Sequence, residues 1–408
     1  MEGIKTSWSR RDFLKTAGIT GLGAALATAG RPTQAATGAA PTATPAGVVP
    51  TRPFGKSGRD VPILALGGMF DIPNNQLLMK QAVRWGVTYW DTADCYEGGD
   101  SEKGIGKYFK KYPQDREKIF LVTKSDDRDP RGMTRLLKRS LDRMNTHYVD
   151  LYFVHGVRRI TELDDETRAW AAQAKADGKI RLFGFSTHRS MEQLLHDAAQ
   201  RDWIDGIMMT YNYRLMHTER MQAAVAACVR AGIGLTAMKT QGGGPVKTDS
   251  ETELELAGRF LRKGFTDKQA KLKAVWANPH IASICSQMPD MTILKANVAA
   301  AMDTAPLTSR QMRLLEQYAL ETADQYCAGC AHICEGAVAG RVPIGDIMRF
   351  HMYRQSYGRL DWARGQFQRL GPDVHRRMAQ ADYTAAEGCC PQRMPIARLM
   401  QQALEDFT

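Results

Sequence analysis

No stretch of this chain is long and apolar enough to read as a membrane-spanning helix. The mildly apolar run 16–30 is too short for one and is broken by glycines. No nucleic-acid-binding module is visible, and the charge is only mildly one-sided: 55 Lys plus Arg against 44 Asp plus Glu, a net +11. Cysteine is sparse along most of the length. Cys95, Cys228 and Cys285 are scattered, and the other five of the eight crowd near the C-terminus.

What is present begins with Ser9-Arg10-Arg11-Asp12-Phe13-Leu14-Lys15, a full twin-arginine export signature ahead of a small-residue site near Ala35. Residues 1–35 are therefore expected to be a signal peptide, and 36–50 a Pro/Ala/Thr linker. Five basic and two acidic residues leave with that leader, so the remaining chain carries +8 of the +11. The expected location is outside the inner membrane, in the periplasm, after passage through the twin-arginine machinery. That route carries proteins already folded, often with a cofactor inserted in the cytoplasm.

Three polar residues then follow short apolar runs at a regular step. Asp91 ends Val87-Thr88-Tyr89-Trp90, Lys124 ends Ile119-Phe120-Leu121-Val122-Thr123, and His155 ends Leu151-Tyr152-Phe153-Val154. The steps of 33 and 31 residues each match about one strand–helix unit. Another 31 residues on, Ser186 follows Leu182-Phe183-Gly184-Phe185. Polar residues at the carboxyl ends of successive parallel strands are how a (β/α)8 barrel builds an active site. The fold class expected is therefore α/β, a TIM barrel over 51–305.

The set Asp91-Thr92-Ala93-x-x-Tyr96, Lys124 and His155 resembles the aldo-keto reductase family. Gly178-Lys179-Ile180-Arg181, Tyr211-Asn212 and Gly242-Gly243-Gly244 also look like its landmarks. The resemblance implies a carbonyl–alcohol oxidoreductase, acting on a small molecule such as a sugar. Tyr96 would exchange a proton with the substrate oxygen, Lys124 would lower the phenol's pKa, Asp91 would hold Lys124, and His155 would orient the substrate. For each residue alone the plainer reading is structural: a half-buried aromatic, an ion pair, a core histidine. The resemblance also implies an NADP or NAD site using Ser186, Asn297, Lys239 and Gly243. Thr187 and Met208 stand where the family has amide side chains, and the usual 2′-phosphate cluster is missing from Ile284-Cys285-Ser286-Gln287-Met288. These departures keep open a rival reading, a redox-sensing or binding module on the same barrel.

The tail, 306–408, is expected to be a small, mostly helical domain. It holds Cys327-x-x-Cys330-x-x-x-Cys334 and, farther on, Cys389-Cys390-Pro391. A triplet with a distant cysteine before proline offers four thiolates to one metal centre. With the barrel it resembles the ferredoxin-like, iron–sulfur branch of the family, reduced to a single 4Fe-4S cluster on Cys327, Cys330, Cys334 and Cys390. Such a cluster would relay electrons, with an electron-transfer protein as partner, or pin the tail to the barrel. Structural zinc and disulfides use the same residues. Arg349, Arg354, Arg359, Arg364 and Arg369 recur every five residues, read first as solvated helix faces and second as a landing patch for an acidic partner.

Helices are expected near 75–85, 131–144, 164–177, 190–200, 219–231, 249–263, 267–277, 290–302, 309–326, 344–357 and 396–407. Signals between 358 and 388 are weak.

Overall fold

The computed structural model describes residues 47–243, 267–339 and 342–408. The expected leader, most of the linker and the 249–263 helix lie outside the described residues.

Eight parallel strands close into a barrel: β3 (Leu64–Gly67), β4 (Tyr89–Asp91), β5 (Phe120–Ser125), β6 (Val149–Val154), β7 (Ile180–Thr187), β8 (Gly206–Thr210), β9 (Gly234–Met238) and β10 (Ser283–Gln287). β10 returns to pair with β3, so no strand edge is left open. A short antiparallel hairpin, β1 (Thr51–Pro53) with β2 (Asp60–Pro62), precedes it. Phe54 beside that hairpin enters the barrel interior, in one cluster with Tyr89, Phe120, Val122, Leu151, Phe153 and Met208. The outward faces of the strands, Trp90, Leu121, Tyr152 and Phe183 among them, join the larger core beneath the surrounding helices.

This alternation places the polar residues. Side chains on a strand point inward every second position. On β5 Phe120 and Val122 face inward, and Lys124 is the next such position. Tyr89 precedes Asp91 on β4 in the same parity, and Leu151 and Phe153 precede His155 on β6. Asp91 and Lys124 are thus the last inward-facing positions of their strands, and His155 keeps the same parity one residue past β6, all at the carboxyl mouth.

The expected helices form with ends shifted by a residue or two, and Ile344–Tyr357 and Ile396–Phe407 match in full. The stretch 309–326 is a helix over Ser309–Glu321 followed by a short 3-10 turn. Asp100–Lys111, a helix without a sequence-stretch expectation, returns from the β4 loop. The weak region holds three further helices, Leu360–Gln368, Pro372–Gln380 and Thr384–Gly388. Together with Ile344–Tyr357 and Ile396–Phe407 they bury Phe350, Phe367, Met378, Met400 and Phe407 in a second core.

The regularly spaced arginines are not simply solvated. Arg349 pairs with Asp346 at 3.4 Å, Arg354 pairs with Asp406, and Arg364 reaches the Asp406 carbonyl at 3.1 Å. Arg359 crosses to Glu97 of the barrel at 3.1 Å. Arg354 and Arg364 thus meet the last helix and Arg359 the barrel, Arg349 pairs within its own helix, and Arg364 and Arg369 remain exposed, so the repeat is partly a solvated face. Among the described residues no helix is long and apolar enough to cross a membrane.

Candidate active site

Asp91 and Lys124 are both buried, with side chains 3% and 1% exposed. Lys124 Nζ donates to Asp91 Oδ2 at 2.7 Å, to the Thr92 carbonyl at 2.7 Å and to Tyr96 Oη at 3.3 Å. All three ammonium protons are thereby used, as a buried lysine requires. Asp91 Oδ1 is buried with no hydrogen-bond partner among the described residues.

The loop carrying Tyr96 is shaped by left-handed backbone at Glu97, Gly98 and Gly99. At Gly99 glycine is required twice over, because φ is +96° and a Cβ would meet the Arg143 guanidinium at 2.5 Å. That guanidinium reaches Asp94 and Glu102, each at 3.1 Å, and Arg139 makes a two-pronged contact with Asp94 at 2.8 and 2.6 Å. The loop is locked from below, and Tyr96 is held over Lys124 with the ammonium 4.7 Å from its ring.

The expectation that Lys124 lowers the Tyr96 pKa is not met. Burial pushes this phenol well above its usual value, and the Asp91 carboxylate and the Tyr353 phenol push the same way. The physical reason is that Lys124 is matched by Asp91 at closer range than it meets Tyr96.

His155 stacks edge-on to Tyr96, ring centroids 5.8 Å apart. Its Nδ1 lies 2.8 Å from Asp126 Oδ1. Burial lowers the imidazole pKa, so the ring is neutral near neutral pH. Burial alone would raise Asp126, but the hydrogen bond and charge of His155 outweigh it and hold the carboxyl at about 2. A carboxylate only accepts, so Nδ1 carries the ring proton and Nε2 is bare. Asp126 went unnoticed in the sequence; its place just beyond the β5 end was the available signal.

The nicotinamide candidates are engaged elsewhere. Ser186 Oγ accepts from the Gly156 amide at 3.0 Å, and the Thr187 hydroxyl donates to the Val157 carbonyl at 2.8 Å. Met208 is packed into the barrel interior and offers no hydrogen bond. Asn297 donates to Ser286 Oγ at 3.2 Å and accepts from Gln269 at 3.2 Å. Lys239 Nζ donates to Tyr353 Oη at 2.9 Å. Gly243 lies against Ser356 and Tyr357. Helix Ile344–Tyr357 therefore lies at the barrel mouth on the β9 side, against Lys239 and Gly243.

The tail is fastened to the mouth at several points. Arg189, after β7, binds Asp346 at 2.8 Å and also Glu335; Arg158 reaches Asp346 at 3.0 Å. Asn212 donates to Tyr326 Oη at 2.9 Å, next to Cys327. Cys327, Cys330, Cys334 and Cys390 line one pocket with Ile344, Met348, Met394 and Ile396. Cys389 turns away, its thiol directed to the Ala386 carbonyl at 3.5 Å. All eight cysteines are free. Burial pushes the Cys327 thiol up to about 11, and the Cys330 and Cys334 thiols to about 12.

The four thiols share one apolar pocket and are the residues that could hold a metal centre there.

The structure is a closed parallel (β/α)8 barrel with a buried Asp91–Lys124 pair and Tyr96 together at its carboxyl mouth. The profile of the Aldo/keto reductase family matches residues 66–302, more than half of the chain, and the protein belongs to that family. An uncharacterized oxidoreductase of Bacillus subtilis, YqkF, is 26% identical over 299 residues, covering 65% of this chain and 95% of its own. An aldo-keto reductase of Fusarium vanettenii is 27% identical over 195 residues, 39% of this chain and 52% of its own. Among solved structures, aldo-keto reductase AKR11C1 from Bacillus halodurans, in its holo form, superposes with a TM-score of 0.56 at 25% identity. That match covers 69% of this chain and 98% of the other.

Proposed function

We propose that the protein is an exported reductase that interconverts a carbonyl and an alcohol on a small substrate such as a sugar, with Tyr96 as the proton-transfer residue. The observation that carries this reading is the contact chain Asp91–Lys124–Tyr96, at 2.7 and 3.3 Å, at the barrel mouth. A reduced nicotinamide would supply the hydride to the carbonyl carbon, and Tyr96 Oη would give its proton to the oxygen that becomes the alcohol, with Lys124 3.3 Å from the phenolate left behind. Asp91 holds Lys124 at that spot. Replacing Tyr96 by Phe removes the proton and keeps the ring; turnover should fall at least ~100-fold with the fold intact. Undiminished turnover in Tyr96→Phe would sink the mechanism.

The proposed centre in the tail is an iron–sulfur cluster on Cys327, Cys330, Cys334 and Cys390, which when bound supplies one-electron chemistry. What supports it is the pocket shared by the four thiols and the departure of Cys389. Protein purified without oxygen should show a broad visible absorption that bleaches with dithionite and is lost in Cys334→Ser. A colourless preparation holding zinc would overturn this part alone. Loading in the cytoplasm and export folded are consistent with Arg10-Arg11; changing both to Lys should leave the protein inside the cell.

A second reading is favoured by the helix at the mouth: the barrel binds or senses and does not turn over. Nicotinamide binding without hydride exchange to any carbonyl would favour it.

A further inference from the structure

Cys95, Asp126 and His155 meet on the rim from three different loops, those after β4, β5 and β6. The loops are tied by backbone bonds: Asp94 N donates to the Lys124 carbonyl at 3.3 Å and His155 N to the Ser125 carbonyl at 2.8 Å. His155 Nδ1 lies 2.8 Å from Asp126 Oδ1 and 3.8 Å from Cys95 Sγ. All three donor atoms fall within 4.8 Å of one another.

We propose that these three residues form a site for one divalent ion of borderline softness, of which Zn2+ is the type. A thiolate, a carboxylate and an imidazole are a mixed donor set suited to such an ion. Three protein ligands with a fourth position open is the form of reactive zinc sites rather than of structural ones. Bonds of about 2.0–2.3 Å would set tetrahedral donors about 3.2–3.8 Å apart. The observed 2.8 and 3.8 Å lie at or just outside the ends of that range. Cys95 and Asp126 are exposed, so both can shift by the few tenths required. Thiolate and carboxylate together balance the two positive charges. The nearest cations are already committed, Lys124 to Asp91 and Arg128 to Glu162 at 3.2 Å.

Binding would change what His155 offers. Without the ion, Nδ1–H donates to Asp126 and the bare Nε2 can only accept. The ion takes the Nδ1 lone pair, so the ring proton leaves Nδ1 for solvent and one is regained at Nε2. Cys95 gives its thiol proton to solvent, so one proton is released per ion bound. Nε2 then becomes a donor, which is what a carbonyl oxygen needs, whereas the ion-free ring suits an alcohol hydroxyl. This effect on turnover rests on the proposed carbonyl chemistry; the binding does not.

The test is equilibrium dialysis of the full chain against Co2+, with tail cysteines intact, comparing wild type, Cys95→Ser and Asp126→Asn. Wild type should bind one equivalent more than Cys95→Ser, with a matching loss of thiolate-to-cobalt absorption. Asp126→Asn should weaken that equivalent at least tenfold. Equal stoichiometry in wild type and Cys95→Ser overturns the site. With Zn2+, nitrogen-detected histidine NMR should show the proton moving from Nδ1 to Nε2; a proton that stays on Nδ1 overturns the change in His155. Both readouts are independent of activity, so they stand or fall apart from Tyr96→Phe.

Discussion

Tyr96 lies 3.3 Å from an ammonium, yet burial and the Asp91 carboxylate push its phenol above the ordinary value of 10. The proton is therefore in place throughout the neutral range. Carbonyl reduction consumes that proton and should be nearly flat from about pH 6 to 9. Alcohol oxidation needs the phenolate and should climb with pH across the same range. Rate profiles in both directions check this, and an oxidation plateau below about pH 9 would contradict it. The sign for stability is the same: a raised folded-state pKa stabilises fully below the unfolded value, and that stabilisation is lost as pH rises past about 10. Asp91, Lys124 and His155 were legible in the sequence because strand ends carry their own apolar signature, and Tyr96 only through the motif Asp91-Thr92-Ala93-x-x-Tyr96. The field around Tyr96 was not, because it depends on how closely Asp91 neutralises Lys124 and on Tyr353, more than two hundred residues away in the chain.

At the scale of elements, each strand needs its entry end anchored as firmly as its mouth. Asp150, near the start of β6, is 1% exposed and accepts from the Leu121 amide at 2.9 Å, Arg116 at 3.2 Å and Arg181 at 2.7 Å. Removing it by Asp150→Ala leaves Arg116 buried without its counter-charge, at a cost of about 3–5 kcal/mol. Urea unfolding should report that loss, while the activity of the protein that remains folded should be little changed. Helix Asp100–Lys111 shows why some elements escape a sequence reading. Gly104 and Gly106 spoil its helical pattern, yet a Cβ at Gly106 would lie 2.0 Å from the Arg143 carbonyl, so the glycines are there for close packing. Its surviving signals were the acids Asp100 and Glu102 in the first turn and Lys110 and Lys111 in the last. The helices between 358 and 388 were hidden for another reason: they are short, nine, nine and five residues, and each buries only one or two apolar side chains fully.

In the whole molecule, the tail is seated against the barrel mouth. Tyr353, Ser356 and Tyr357 occupy the ground beside Lys239 and Gly243, and Arg359 fixes the far end of that helix to Glu97. If this contact keeps nicotinamide out, Tyr353→Ala should tighten NADPH binding at least tenfold by fluorescence titration, and unchanged affinity would show that the helix does not obstruct it. Burial raises the Tyr353 phenol, but the charge and hydrogen bond of Lys239 more than compensate and hold it below its ordinary value. The tail's cysteine spacing and its two longest helices were readable in advance. Its seat on the mouth was not, since that rests on pairs such as Arg189 with Asp346, which no local pattern announces.

That seat also has a consequence in time. The ribosome finishes β10, and with it the last stave of the barrel, before it has made Ile344. At about 5–20 residues per second, seconds separate the two events, so the last strand of the barrel is made before the helix that lies against its mouth. A chain ending before Ile344 is therefore expected to close the barrel by itself, with Lys239 and Gly243 lacking the neighbours that helix supplies.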